Sequence, residues 1–318
     1  MIASNAYELT QAVLEQMQRA QHPRLRQVMS AAVRHLHAFA TEVQLTEAEL
    51  QQACALVARL GQLTTASHNE VVLCAGSLGL SALVCLLNNG GPDDAQATPT
   101  TANLLGPFWR DASPPTENGA SLLRSPTPGE TIFVTAHVVE RSGAPVAGAE
   151  VDVWHASAEG YYENQDPTQA DMNLRGRFTT DALGCIRFRS IKPVGYPIPV
   201  NGVVGDLLRL LGRHNMRPAH LHFLIHKPSF KTQFSQLYSS DDPHLASDVQ
   251  FGVTRALIGQ YVRHDLDAAP DADVTGPWYS LEHRFVIEPG VAHRPGAPIT
   301  AKAGGDRPDW VRLPQREP

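Results

Sequence analysis

The sequence predicts a mixed fold: an N-terminal α-helical domain over residues 1–101, then a β-sandwich over residues 102–318 with a C-terminal surface tail. Up to residue 89 apolar residues recur at helical spacing, and from residue 131 they recur at every second position. Residues 90–101, rich in Gly, Pro, Asp and Thr, separate the two patterns as a polar linker. A chain of 318 residues is long enough for two ordinary domains.

The helical elements follow in order. Leu9, Val13 and Met17 share one face of a first helix, and Leu25, Val28, Ala32, Leu36 and Phe39 one face of a second. Thr46 with Glu49 makes a capping box that opens a third helix through Leu50, Cys54, Val57 and Leu60. Ser67 with Glu70 reads as another, opening the longest apolar helix, residues 71–87, which stops at Asn88-Asn89-Gly90-Gly91. That helix is apolar on nearly every side, so it needs cover, expected to include a dimer partner.

Short strands are predicted over residues 131–139, 150–156, 185–189, 219–226, 233–238 and 283–288. Turn signals such as Ser142-Gly143 and Asp181-Ala182-Leu183-Gly184 lie between them. Many short strands joined by Gly- and Pro-rich turns argue a sandwich. From Pro289 the tail is rich in Pro, Gly and charge and is expected to wrap the surface.

With 42% hydrophobic and 18% charged residues and a formal charge of -6, the chain reads as globular, without a Lys/Arg run for nucleic acid. Its apolar runs fall short of the ~18 residues that span a bilayer, so an integral membrane protein is not expected. The N-terminus lacks the basic and apolar regions of a signal peptide. Cys54, Cys74, Cys85 and Cys185 form no CxxC and are expected as free thiols, mostly buried in apolar helices, which fits a cytoplasmic protein.

The chemistry gathers at Arg217-Pro218-Ala219-His220-Leu221-His222-Phe223. Side chains alternate along a strand, so His220 and His222 share a face and form half of a metal site. His35 and His37 have the same spacing in a helical pattern, where residues two apart do not face each other, and read as surface histidines. Tyr196 lies in a loop stiffened by Gly195, Pro197 and Pro199, and Tyr161-Tyr162 follow a strand end. A phenol with a pKa near ~10 ionises at neutral pH only beside a strong Lewis acid, of which ferric iron is one. His226 stands on the same strand face as the pair but at its far end, where it reads as solvated.

Residues 104–260, together with the helical N-terminus, resemble the intradiol ring-cleavage dioxygenases, more narrowly the catechol and hydroxyquinol 1,2-dioxygenases. The motifs that carry the resemblance are Leu105-Gly106-Pro107-Phe108, Val153-Trp154 to Tyr162, Gly195-Tyr196-Pro197-Ile198-Pro199 and the Arg217 to Phe223 segment. Their separations match as well, 34 residues from Tyr162 to Tyr196 and 24 from Tyr196 to His220.

The resemblance implies that Tyr162 (rather than Tyr161), Tyr196, His220 and His222 bind one non-haem Fe(III) per subunit. It implies that Tyr196 is the axial ligand that the substrate displaces, that Arg217 sits over the bound ring, and that Gln236 stands where catechol-type members carry a glutamine. It places Leu73, Gly76, Leu105, Gly106, Pro107, Phe108, Ile198, Pro199, Arg217 and Val253 around the substrate. The implied reaction is cleavage of a catechol-type diol by O2 between its two hydroxyls to a muconate-type diacid.

The segments 196–199 and 251–253 look more like the hydroxyquinol branch, which points to hydroxyquinol (1,2,4-trihydroxybenzene). One departure matters: Gly76 stands where hydroxyquinol enzymes carry an acidic residue. Glycine leaves space and no acceptor for a third hydroxyl, so catechol or a substituted catechol is the alternative. The resemblance also implies a homodimer through the N-terminal helices, with a phospholipid in a tunnel at their interface.

Other readings of the residues stand beside this one. Residues 143–151 followed by 180–184 are also similar to transthyretin-like sandwiches, which are binding modules without iron. An HxH zinc or cupin-type Fe(II) enzyme would be colourless. Taken alone, Arg217 would salt-bridge a loop carboxylate, Gln236 would be an ordinary hydrogen-bonding strand residue, Asp152 would be solvated and Trp154 would be core.

Overall fold

The computed structural model describes residues 2–89, 101–309 and 311–315. The expected linker, apart from Thr101, and the Gly90-Gly91 stop lie outside the described residues. The chain divides into two compact units, Met1–Arg59 and Leu60–Pro318.

The first unit holds α1 (Ala6–Met17), α2 (Pro23–Glu42) and all but the last turn of α3 (Glu47–Leu63). Asn5 caps α1 by accepting the Glu8 N–H at 2.9 Å. Pro23 opens α2, where its missing N–H costs nothing. The capping box at α3 forms as expected: the Thr46 N–H donates to Glu49 Oε2 at 2.9 Å and the Glu49 N–H to Thr46 Oγ1 at 3.3 Å. His35 is exposed, but His37 is half-buried, its Nδ1 2.9 Å from Thr10 Oγ1, and so joins α1 to α2 instead of lying on the surface. The apolar stripe of α2 stays uncovered in the single chain: Leu25, Leu36 and Phe39 are each more than half exposed. Cys54 is exposed, contrary to expectation, and all four thiols are free.

In the second unit the long apolar helix is two helices, α4 (Glu70–Ser77) and α5 (Leu80–Asn89), bent by 73°. Gly79 at φ +74 breaks it, because a left-handed residue cannot continue a right-handed helix. Asn69, not Ser67, is the N-cap, accepting the Val72 N–H at 2.9 Å. Glu70 turns away to accept the Val204 N–H at 2.8 Å and to pair with His68 at 2.6 Å. No single described helix is long and apolar enough to cross a membrane.

The sandwich has two main sheets. One runs β10 (Val262–His264), β11 (Trp278–Ile287), β1 (Thr131–Glu140), β4 (Cys185–Ile191). The other runs β3 (Arg175–Thr179), β2 (Glu150–His155), β7 (His220–His226), β8 (Gln233–Ser239), β9 (Ile258–Gly259). A two-strand ribbon, β5 (Tyr196–Pro197) with β6 (Met216–Arg217), and α6 (Val203–Leu210) complete it. Ile132, Val134 and Phe285 of the first sheet meet Val151, Val153, Leu221 and Phe223 of the second in one core cluster.

The outer face of the second sheet is buried too. Trp154 and Leu224 join a second cluster with Leu73, Phe108, Tyr162, Tyr196, Ile198 and Leu208. A strand covered on both faces reads as a continuous buried run, and β7 is buried at every position but His226. The same cover overturns the expectation for Asp152. It is buried on that outer face, and burial pushes its carboxyl up to about 6 despite the Arg177 charge. The tail wraps the unit as expected, with Ile299 buried and the N–H groups of Thr300 and Ala301 donating to Ala66 O.

Strand β3 escaped the sequence pattern because Arg175-Gly176-Arg177 breaks alternation. A Cβ at Gly176 would meet Leu122 Cδ2 at 2.5 Å, so glycine is required where the 113–124 segment crosses. Helix α6 was hidden between Pro199 and Gly212, two turn signals.

Candidate metal centre

Strand β7 aims His220 and His222 out of the sandwich onto the covered face, opposite Tyr238 and Gln236 of β8. The β5–β6 ribbon pairs Tyr196 with Arg217, and Pro218 leads directly from Arg217 into β7. Tyr162 follows β2 through the Gly160 turn at φ +83. Its neighbour Tyr161 points the other way, with its hydroxyl donating to Pro308 O at 2.8 Å and Arg307 over its ring.

Four donor atoms converge. Tyr162 Oη lies 3.0 Å from Tyr196 Oη, 2.8 Å from His222 Nε2 and 3.4 Å from His220 Nε2. Tyr196 Oη is 3.4 Å from His220 Nε2, and the two Nε2 atoms are 3.1 Å apart. Bonds of roughly 2 Å to a common centre give separations of this size. All four side chains are buried.

The protonation states suit a cation. His220 Nδ1 is 2.7 Å from Pro218 O, so the Nδ1 proton goes there and the Nε2 lone pair faces the cluster. Burial, then the Arg217 charge, pushes His220 down to about 3. Burial, with His220 and Arg217 added, holds His222 well below the usual range. Burial pushes both phenols up, Tyr162 well above its ordinary value with Tyr196 contributing. The two phenolic protons and one Arg217 N–H can meet these lone pairs only one by one, whereas a Lewis acid would engage all four atoms together and ionise the phenols. A donor set of two imidazoles and two phenols suits ferric iron. Among the described residues no cluster of three His, Cys, Asp or Glu is placed to hold a metal, so any metal here depends on the tyrosines.

The surroundings fix these donors. The His222 ring stacks on Trp154 at 4.6 Å and 9°, and the Tyr162 ring on Phe108 at 4.6 Å. Gly106, at φ +77, passes so close that a Cβ would lie 3.2 Å from His222 Cε1. Arg217 Nη1 is 3.3 Å from His220 Nε2, and Nη2 donates to Gln236 Oε1 at 2.8 Å and Tyr238 Oη at 3.0 Å. Gln236 Nε2 donates to Leu104 O at 2.8 Å, so this glutamine ties the guanidinium to the loop that carries Gly106. Burial opposes the Arg217 charge, but the Asp248 carboxylate raises it well above the ordinary value. Asp248 is the loop carboxylate expected for Arg217, and Arg217 still reaches the donor cluster.

Leu73, Phe108 and Ile198 share the buried cluster with Tyr162 and Tyr196, with Leu105 packed against it. Leu105 and Gly106 line a cavity of about 400 Å³ that also touches Gln250 and Pro298. Phe108 and Pro199 line a second of about 270 Å³. A cavity of roughly 150 Å³ already holds benzene, so either accommodates one substituted ring. Pro107 is buried in the same loop. Gly76 does not leave the expected space, because a Cβ there would lie 2.8 Å from Gln250 Oε1. Val253 packs against the sandwich core instead of joining this cluster.

Asp248, Gln250, Tyr238 and the ion pair behind Tyr162, Arg175 Nε to Glu163 Oε1 at 2.7 Å, escaped the sequence reading. Asp248 and Gln250 lie within five residues of Val253, and two polar residues so near a segment assigned to the pocket were the signal available.

The family model described as "Dioxygenase" matches residues 104–287, and "Catechol dioxygenase N terminus" matches residues 22–96. The chain is 36% identical to hydroxyquinol 1,2-dioxygenase of Rhizobium sp. (strain MTP-10005) over 87% of this chain and 93% of that protein. The crystal structure of hydroxyquinol 1,2-dioxygenase from Pseudomonas putida DLL-E4 superposes with a TM-score of 0.77 at 35% identity, covering 90% of this chain and 99% of the other. Catechol 1,2-dioxygenase from Pseudomonas arvilla C-1 superposes with a TM-score of 0.74 at 30% identity, covering 98% and 97%.

Proposed function

Because this chain belongs to the intradiol ring-cleavage dioxygenases, we propose that it cleaves hydroxyquinol with O2 between the two vicinal hydroxyls, giving 3-hydroxy-cis,cis-muconate/maleylacetate. The observation that carries this reading is the buried convergence of Tyr162 Oη, Tyr196 Oη, His220 Nε2 and His222 Nε2 beside a charged Arg217. These four residues would hold one non-haem Fe(III) per subunit. When bound, ferric iron acidifies the phenols and the diol and draws electron density from the ring, opening it to O2.

The remaining work falls to the chain. Tyr196 sits on a two-residue strand, while Tyr162 is stacked on Phe108, which supports Tyr196 as the phenol that would accept a diol proton at its Oη. Arg217, held charged by Asp248, stabilises negative charge that develops on the ring. Gln236 keeps the guanidinium in place. Leu73, Gly76, Leu105, Gly106, Pro107, Phe108, Ile198, Pro199 and Val253 would bound the ring and exclude water, which the burial of Leu73, Phe108 and Ile198 beside the two tyrosines supports.

The names of the Rhizobium and P. putida relatives support hydroxyquinol. Gly76, which offers no acceptor, favours a second reading in which catechol or a substituted catechol is the substrate. Residues 1–101 are proposed as the helical dimerisation domain and residues 102–318 as the catalytic domain of a cytoplasmic homodimer, with a phospholipid at the helical interface. The exposed Leu25, Leu36, Phe39, Leu83 and Leu87 support the dimer.

The test is a visible spectrum of the purified protein before and after anaerobic addition of hydroxyquinol and then catechol. A broad tyrosinate-to-iron band that shifts with the diol is expected. A protein that stays colourless and iron-free after ferric reconstitution would favour a metal-free binding sandwich.

A further inference from the structure

Gln250 is 2% exposed, in the loop that also carries Asp248. Its backbone N–H donates to Asp248 Oδ1 at 3.2 Å, and Asp248 holds Arg217 at 3.0 Å. The loop is therefore tied to the residue that faces the donor cluster. The Gln250 side chain turns toward α4 and lies over Gly76, where a Cβ would be 2.8 Å from Oε1 and 2.9 Å from Cδ. Glycine at 76 is the condition for the amide to sit there.

The amide is unfinished chemically. Gln250 Nε2 is buried and has no hydrogen-bond partner among the described residues. Buried side-chain donors are nearly always paired, so an orphan asks what completes it. Gln250 lines the cavity of about 400 Å³ together with Leu105 and Gly106. Gly106 is the residue that backs onto the His222 ring. A side chain with an unpaired donor thus borders a ring-sized cavity, and Gly106 is shared between that cavity and the wall behind His222.

We propose that Gln250 determines which ring substituent is accepted. Its carboxamide N–H donates to an oxygen substituent on the ring beyond the vicinal hydroxyl pair, and Gly76 is present to make room for it. The assignment rests on the reading of a catechol-type substrate and narrows it. A third hydroxyl oxygen satisfies the donor, whereas catechol presents only C–H at that position and leaves the donor unpaired. The polar group absent at position 76 is thereby supplied by the side chain packed over it, and the tension between Gly76 and a trihydroxylated substrate eases.

The test compares hydroxyquinol with catechol in the iron-loaded, full-length enzyme, both as kcat/KM in air and as anaerobic dissociation constants read from the shift of the visible band. In Gln250→Leu the preference for hydroxyquinol over catechol is expected to fall about 10-fold or more in both readouts. Gly76→Ala, which displaces the amide without removing it, is expected to move the ratio the same way. If Gln250→Leu does not fold, Gln250→Met removes the donor in nearly the same volume and gives the same reading. An unchanged ratio in folded Gln250 variants overturns the assignment while leaving the enzyme's activity class intact. Cleavage of neither diol by the unaltered enzyme overturns the substrate reading itself, and it is seen before any variant is made.

Discussion

The Arg217 guanidinium and the Asp248 carboxylate face each other through two hydrogen bonds of 3.0 and 3.1 Å, and both side chains are 2% exposed. Burial pushes the Asp248 carboxyl up, but Arg217 and the N–H groups of Gly252 and Gln250 bring it below the usual range. The pair therefore stays ionised inside the protein, and the cation beside the donor cluster depends on its partner.

Removing that partner is expected to be costly. Asp248→Asn leaves a buried guanidinium without its counter-charge, which costs about 3–5 kcal/mol of stability when a buried pair is broken. Thermal denaturation checks the stability. kcat/KM of any surviving folded fraction is expected to fall together with stability, and an unchanged melting temperature would show that Arg217 does not need Asp248.

The two adjacent tyrosines separate structure from ligation. Tyr162→Phe removes an oxygen from the cluster and is expected to lose most bound iron and the visible band. Tyr161→Phe removes the bond to Pro308 O and no atom of the cluster, and is expected to keep both. Iron per chain by elemental analysis reads the difference, and equal loss in the two variants would argue against the assignment of Tyr162.

Gly106 is placed for a backbone reason. Alanine there must adopt φ +77, at about 1–2 kcal/mol, and its Cβ presses on His222 at 3.2 Å. Gly106→Ala is expected to weaken iron retention against a chelator while lowering the melting temperature only modestly. Retention equal to that of the unaltered protein would mean that His222 yields freely.

Asp152 gives a pH dependence of known sign. Its folded value of about 6 lies above the ordinary 3.8, so the folded state holds the proton longer than the unfolded chain does. Stability contributed by this group is present below pH 3.8 and is lost as the pH rises through about 6. Asp152→Asn, which cannot ionise, is expected to be more stable than the unaltered protein by about 1–3 kcal/mol at pH 7.5 and indistinguishable near pH 4. The buried His155, pushed down to about 4, works the other way: its neutral form loses stability as the pH falls from 6.5 toward 4. Denaturant unfolding of Asp152→Asn and the unaltered protein at the two pH values checks the sign.

Much of the architecture was legible because it is local. The switch from helical to alternating period places the helices and most of the sandwich strands within a few residues. β11 begins at Trp278, five residues before the pattern suggested, because Trp278 to Leu281 mixes buried and half-buried positions on a strand that pairs in parallel with β1. The break at Gly79 was invisible for the opposite reason: the apolar pattern continues through it, and only the positive φ divides it. Among the site residues, Val253 was placed at the pocket by the family resemblance, and it is partly buried and packs against the sandwich core.

What the sequence determined by itself was the strand that carries His220 and His222 on one face. Strand alternation is a property of consecutive residues, and a helical His35–His37 pair at the same spacing shares no such face. Residue chemistry alone left Tyr161 and Tyr162 equivalent, did not say which loop carboxylate would pair with Arg217 and read Asp152 as solvated. The tertiary structure decided these. Tyr161 is turned to the tail at Pro308, Asp248 arrives at Arg217 from 31 residues away, and the covered outer face of the second sheet closes over Asp152. Gln250 lies over Gly76 for the same reason. Contacts between residues distant in the chain leave no periodic trace in it, and burial on a sheet's second face depends on what folds over that face.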